Sequence, residues 1–444
     1  MTSDLLEEAL QALDAPQGRY AELERYARGE QRLAWISPES RKALGDRLPR
    51  LSSNIPALQV NSIVERLRIV GYSDPRAFDL FTQTDLDQLA AQAMADALLY
   101  SCGWVLVWSK DGRPVATVES PRQCQVLRDP ADRSVVAGVK RYSTKNSTEA
   151  YLYLPNEILH YSAPMPDAAI AGFGLVERIE NPLNAVPLVP INNGHSEIRD
   201  LLPLVDALNH LLVSMMVGAE AAGKGRRWIS GLQLVERNRV DANGDPVLGD
   251  DGQPVVDLVS PINDIDVVQT MISENPETKF GALPSADLSA FEDGVRVIIS
   301  QISAISSLPG HYLNPLSSSQ VPSADGLRAS EASLTARCEQ KQQLFGRAWE
   351  TVGRLLIAID NPGTDPASLP LRVKWGSAAT RSIAQEMDAA TKAFSSRLLS
   401  RRTILAGLGM SDDEVEQELA NIRAEANDAR DITLGRIVSG ADNY

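Results

Sequence analysis

From Ser323 to Asp360 the chain runs 38 residues without a proline, with its apolar residues at helical spacing. A single helix over 323–360 would be on the order of 55 Å long at 1.5 Å per residue. Its first half is sparse in apolar residues (Leu327, Leu334, Cys338), while its second half is rich in them (Leu344, Phe345, Trp349, Val352, Leu355, Leu356, Ile359). One end therefore belongs in the core of its own subunit, and the other must be exposed or covered by a neighbour.

Two further helices flank a β-rich stretch. Ile198, Leu201, Leu202, Val205, Leu208, Leu212, Met215, Met216 and Ala219 predict the first, which Gly223 and Gly225 terminate. The second begins at Ser285 or at Ser289, where Ser289-x-x-Glu292 makes a capping box. Its Leu288, Phe291, Val295, Ile298, Ile302 and Ile305 are spaced 3, 4, 3, 4, 3, a narrow seam suited to packing helix on helix. Residues 226–284 read as strands, with Asn243-Gly244 and Asp251-Gly252 as tight turns. Between the seam helix and the long helix, 306–322 carries three prolines and no periodicity, the mark of a functional or disordered loop.

The N-terminal portion reads as an α+β domain closing near Pro190. Leu5, Leu6, Ala9, Leu10 and Leu13 form one apolar stripe, and helices are expected over 51–71 and 85–100. From Gly103 the period changes to two, giving strands at 104–108, 114–118, 124–127, 135–139 and 151–154. After Pro362 and Pro366 a strand is expected at 369–375, then helices at 383–396, 401–408 and 411–426.

Composition excludes several functions. The net charge of −15 disfavours a static grip on duplex DNA, which needs a basic footprint. Charge is uneven, however: five basic residues stand between Lys224 and Arg239 against Glu236 alone, and eight acids between Ser411 and Asp431 against two arginines. Cys102, Cys124 and Cys338 lie far apart and read as small core residues, without a disulfide framework or zinc site. No signal peptide is read at Met1–Ala12, and no apolar run approaches the roughly 20 residues of a membrane span. No membrane, metal or cofactor is expected.

The segment Gly218–Gly225 spells G-x-x-x-x-G-K-G, one residue short of a nucleotide-binding loop. That loop needs a Ser or Thr where Gly225 stands, and a strand before the glycines with a helix after them. Here the order is predicted to be reversed. Asp241–Asp245 suggests a calcium loop, but Pro246 stands where Gly is needed and Gly252 where Glu is needed. The four histidines (His160, His195, His210, His311) are dispersed, and no residue pattern points to an enzyme. The alternative function is a nucleotide hydrolase using the degenerate loop at 218–225; a monomeric scaffold is disfavoured by the half-apolar long helix and the seam.

Three stretches together resemble the portal proteins of tailed double-stranded-DNA bacteriophages, of the type found in long-tailed phages of actinobacteria. They are 48–67 (LPRLSSNIPALQVNSIVERL), 194–210 (GHSEIRDLLPLVDALNH) and 323–332 (SADGLRASEA). The resemblance spans roughly 48–425 and implies the phage portal fold, with an α/β wing, a two-helix stem, a small β-rich clip, a long wing helix and a short helical crown. On that plan 1–195 is the wing, 196–223 the first stem helix, 224–284 the clip and 285–305 the second stem helix. Residues 306–322 are then the tunnel loop, 323–382 the long helix and return to the wing, and 383–444 the crown and tail. A long C-terminal helical barrel is not expected.

The resemblance further implies a ring, typically of twelve subunits, at one capsid vertex of the virion, assembled in the host cytoplasm. Double-stranded DNA passes through it during packaging and ejection. The implied partners are the terminase large subunit, a head-tail adaptor, and the major capsid and scaffolding proteins. A conduit must not hold what it transmits, which reconciles an acidic chain with a DNA partner. Three sets of site residues follow as expectations. Lys224, Arg226, Arg227, Arg237 and Arg239 would dock terminase and then the adaptor. His311, Tyr312, Asn314, Ser317, Ser318, Ser319 and Gln320 would touch the sliding DNA backbone as neutral polar groups. Leu288, Phe291, Val295, Ile298 and Ile302 would pack the stem within the ring.

Overall fold

The computed structural model describes residues 2–32, 52–223, 227–230, 235–240, 246–248, 252–259, 277, 279–282, 289–313, 323–379, 383–407, 410 and 414–427. Helix α1 (Thr2–Asp14) lays the predicted stripe of Leu6, Ala9, Leu10 and Leu13 on one face of a sheet, against Ala137, Val139, Ala150, Leu152, Leu159 and Tyr161. That sheet is antiparallel, in the order β4 (Cys124–Arg128), β5 (Val135–Ser143), β6 (Thr148–Tyr153), β7 (Glu157–Ala163), β8 (Gly174–Glu180). A second sheet holds β2 (Cys102–Lys110) between β3 (Arg113–Glu119) and β9 (Leu188–Asn192). All five predicted strands of this region are present, and β7, β8 and β9 are additional.

Helices α2 (Gln17–Arg28), α3 (Ile55–Val64), α4 (Pro75–Gln83) and α5 (Leu86–Tyr100) supply the main core. Strand β2 lies so close on α5 that a Cβ at Gly103 would stand 2.0 Å from the Ala93 carbonyl oxygen, so no other residue fits there. On α5, burial pushes the Asp96 carboxyl up to about 7. The helix expected over 51–71 stops at Val64; Ile69–Tyr72 is instead strand β1, paired with β14 (Val373–Trp375). Helix α4 was not expected. It is started by Asp74, whose carboxylate accepts the Arg76 N–H, with Pro75 in the first turn where its missing N–H costs nothing.

The first long helix is α6 (Leu202–Gly223). Strand pairs β10 (Arg227–Ser230) with β13 (Lys279–Ala282), and β11 (Val235–Asn238) with β12 (Val256–Val259), follow it. Then come α7 (Ser289–Ser306), the short α8 (Gly310–Leu313) and the 37-residue α9 (Ala324–Asp360). Ser323 caps α9, its Oγ accepting the Gly326 N–H at 3.2 Å. Leu334, Cys338, Phe345, Trp349, Val352, Leu355 and Leu356 bury one face of α9 in the main core, where Trp349 meets Phe81 edge-on. At Gly353 a Cβ would come within 2.6 Å of Leu371, which is how closely the return segment crosses the helix. The return strand is three residues, not seven: a single helical turn at 366–368 leads into Pro370, which has no N–H for a ladder, and pairing begins only at Val373. The C-terminal helices are α10 (Ile383–Ser395), α11 (Arg401–Gly407) and one over 414–427. Cys124 and Cys338 are buried and Cys102 nearly so, and burial pushes all three thiols up.

The segment Arg199–Ala219 is long and apolar enough to cross a membrane by length and composition. This corrects the expectation that no run approaches that length. Asp206, Asn209 and His210 interrupt the apolar string without lowering its mean hydropathy enough. Asp206 is held by the Tyr26 hydroxyl at 2.8 Å, and burial followed by that bond pushes the Tyr26 phenol up.

Candidate functional site

Helices α6 and α7 pack on each other. Leu201, Val205 and Leu208 enclose Ile302, with Val295, Ile298 and Ile299 alongside. Gly294 faces Leu211 closely enough that a Cβ would meet its Cδ2 at 2.9 Å. Part of the predicted seam thus lies on the first helix of the same chain: Ile302 is buried and Val295 and Ile298 half-buried against it, while Phe291 is half-buried outside that cluster and Ile305 faces outward. Leu288 lies outside the described residues. Outward from the pair stand Met216, Val297 and Ile305, with Val297 60% exposed.

Gly218 and Gly223 lie in the last turns of α6, and the next described element is strand β10 at Arg227, so a helix holds the first two glycines and a strand comes after them. This is the reverse of a nucleotide-binding loop. Lys224 and Arg226 lie outside the described residues. Arg227 stands opposite Ala282 in the β10–β13 register and Arg237 opposite Asp257 in the β11–β12 register. Arg239 forks onto Asp257, with Nε 2.9 Å from one carboxylate oxygen and a terminal nitrogen 2.7 Å from the other. The hydrogen bonds from Arg239 hold the Asp257 carboxyl below its usual range.

Residues 306–313 are not structureless. Ser307 closes α7 in the left-handed region (φ 59°). Behind it the Ser306 carbonyl accepts the Gln59 amide at 3.0 Å and an Arg337 nitrogen at 2.5 Å. Pro309 is followed by α8, whose Tyr312 packs on the main core. Its hydroxyl accepts from an Arg66 terminal nitrogen at 3.2 Å, and the same nitrogen stands 3.1 Å from Glu331. His311 Nε2 is 3.6 Å from the other Glu331 oxygen. Of the seven expected DNA-contacting residues these two are therefore engaged with their own chain. Asn314, Ser317, Ser318, Ser319 and Gln320 lie outside the described residues, as do Asp241–Asp245.

A second buried cluster lies beside the first. Glu197 receives Lys341 Nζ at 2.5 Å and the Asn193 amide at 3.0 Å, and the Asn193 oxygen in turn accepts from Lys341 at 2.7 Å. Arg337 Nε stands 3.2 Å from the second Glu197 oxygen, an ion pair without hydrogen-bond alignment. Burial pushes the Glu197 carboxyl up, but the bonds from Asn193 and Lys341 and the charges of Lys341 and Arg337 outweigh it and hold it low.

Sequence reasoning did not single out Arg66, Glu197, Glu331, Arg337 or Lys341. A signal was present: each of the three stretches that carry the family resemblance contributes one member, Arg66 from 48–67, Glu197 from 194–210 and Glu331 from 323–332. Their convergence at the root of the 306–322 segment is a property of the fold, visible only in three dimensions.

The family model "Phage portal protein, SPP1 Gp6-like" matches residues 78–431. The portal protein of Mycobacterium phage L5 is 25% identical over 413 residues, covering 85% of this chain and 81% of the relative. That of Mycobacterium phage D29 is 26% identical over 370 residues, covering 76% and 72%. Among solved structures, a chain from the virion of a native gene transfer agent particle gives a TM-score of 0.44 at 13% identity, covering 87% of this chain and 97% of that one. A chain from the neck of the native particle, computed with C12 symmetry, gives 0.44 at 12%, covering 87% and 98%.

Proposed function

The chain belongs to the SPP1 Gp6-like family of phage portal proteins, and from that premise we propose that it is the subunit of a twelve-membered ring at one capsid vertex, through which double-stranded DNA enters and leaves. The observation that carries the ring is the segment Arg199–Ala219, which holds most of α6: it is apolar and of membrane-spanning length, yet only 28% of the residues in its most apolar stretch are buried within the chain. Such a face must be covered by something apolar. In a portal the cover is the same helix pair of adjacent copies, and the outward Val297, Ile305 and Met216 have a use there. A ring is the closed form of a head-to-tail contact repeated between identical copies. The test is the mass of the detergent-free protein in solution with negative-stain images of the same sample. Closed rings with a central hole are expected, and a monomer that floats with liposomes would overturn the reading in favour of lipid.

Within the ring, 1–195 is the wing, 196–223 and 285–305 the stem, 224–284 the clip, 306–322 the tunnel loop, 323–382 the long helix with its return, and 383–444 the crown and tail. The clip presents Lys224, Arg226, Arg227, Arg237 and Arg239 to the terminase large subunit and afterwards to a head-tail adaptor. Of these, Arg239 already forks onto Asp257 within its own chain. The capsid and scaffolding proteins are the partners on the wing side.

The tunnel loop meets DNA through neutral polar groups at 314–320. A basic residue there would be repeated around the ring, and each neutralised phosphate adds about 0.9 to the salt slope of binding, so the duplex would be held. The chain itself turns over no nucleotide; the motor is the terminase. Deleting 315–320 should leave rings intact and change the amount of DNA retained per head, and unchanged retention would remove the loop from the DNA path. ATP turnover abolished by Lys224→Ala would instead restore the hydrolase alternative.

A further inference from the structure

Arg66 joins two parts of the chain that are far apart in sequence. One terminal nitrogen donates to the Ala378 carbonyl at 3.1 Å and reaches Thr335 Oγ1 at 3.4 Å; the other donates to Tyr312 at 3.2 Å and pairs with Glu331 at 3.1 Å. Its side chain is 12% exposed. The first nitrogen therefore holds the segment that leads into the C-terminal helices, and the second holds α8. The backbone repeats the link on one side. Gln342 donates to both the Arg66 and Gly376 carbonyls, at 3.3 and 3.0 Å, and the Gly376 N–H bonds to the Arg68 carbonyl at 2.8 Å.

We propose that Arg66 is a coupling residue, through which the segment 376–378 and the short helix α8 loosen and tighten together. The physical reason lies in the planar, rigid fork of the guanidinium. Its two nitrogens cannot be aimed independently, so a bond lost on one side turns the plane and lengthens the bond on the other. In a mostly buried site the freed N–H cannot simply turn to water, which raises the cost of breaking either bond. Lysine, a point charge with one nitrogen, cannot serve both sides at once. By reciprocity, whatever binds or shifts the C-terminal helices is felt at α8, and whatever strains α8 is felt at 376–378. For its consequence in packaging the inference rests on reading 306–322 as the tunnel loop; the coupling itself is measured without DNA.

The test is hydrogen exchange on the full chain. Tyr312→Phe removes one hydroxyl and leaves the ring in its packing. It should raise exchange at α8, where the Tyr312 N–H bonds to the Pro309 carbonyl, and also at Gly376, by about fivefold or more. Amides around Trp349 should be unchanged. Arg66→Lys should open the same two segments together. A rise confined to α8 in Tyr312→Phe, or to one segment in Arg66→Lys, overturns the coupling and leaves Arg66 as local packing. Exchange is read in whatever assembly the wild-type chain forms. Absence of rings would thus overturn the ring reading, while the exchange pattern alone decides the coupling.

Discussion

The α+β body and the α6–α7 pair differ in how completely their helices bury apolar residues. In the body, α9 buries Phe345, Trp349, Val352 and Leu356 completely, and α1 does the same for Leu10 and Leu13. The helix pair buries Ile302 but leaves Val297 and Ile305 open. A body with a closed core can fold as one chain; a pair with an open face reaches its final burial when copies meet. Mutations in the two regions should therefore be read by different instruments, denaturation for the first and assembly for the second.

The largest expected effect is in the body. Trp349→Ala removes a fully buried ring that meets Phe81, and should cost about 3–5 kcal/mol in chemical denaturation, with rings lost as a consequence. A loss of rings with unchanged denaturation would break the comparison. Next is Lys341→Met, which removes the buried cation bonded to Glu197, leaving the Asn193 amide, Arg337 and the more distant His195, and should cost about 3 kcal/mol at neutral pH. The pH dependence fixes its cause. The Glu197 carboxyl is held low in the folded chain, so its stabilising contribution is present above the unfolded carboxyl range near 4 and is lost as pH falls through the lowered value. The deficit of the mutant should shrink over that acid window, and a pH-independent deficit would assign it to lost packing.

A smaller change of opposite sign is expected on α5. With its carboxyl raised to about 7, Asp96 binds more protons folded than unfolded between about pH 4 and 7, so stability falls as pH rises through that window. Asp96→Asn should be more stable than wild type at pH 8 by about 1–2 kcal/mol, and the gain should vanish near pH 4. Thermal melts at the two pH values check it. Smallest in denaturation is Val297→Glu: at an exposed site it should stay within about 0.5 kcal/mol. Its effect belongs to the mass distribution, where rings should give way to smaller species. Intact rings would place the contact between copies elsewhere on the helix pair.

The elements that were legible were those with long, regular spacing. The 37-residue α9 and the seam helix were readable because one apolar face repeats every three or four residues. Helix α4 was hidden behind Pro75, which reads as a breaker until its place in the first turn is known, and Pro190 sits within β9 itself. The ionic clusters at the loop root were not legible at all. Arg66 meets Tyr312 across 246 residues of sequence and Ala378 across 312, and nothing in local spacing marks either pairing. The family resemblance pointed to the right segments but not to the residues in them that touch.

The three thiols have a practical bearing. Burial keeps Cys102 and Cys338 protonated, pushed up to about 12 and about 11, and burial likewise pushes the Cys124 thiol well above its usual range. A protonated, enclosed sulfur is a poor nucleophile. The native background should thus be silent to thiol-directed dyes and cross-linkers, so single cysteines introduced on the helix pair or the clip can report distances between copies without first stripping the chain of its own.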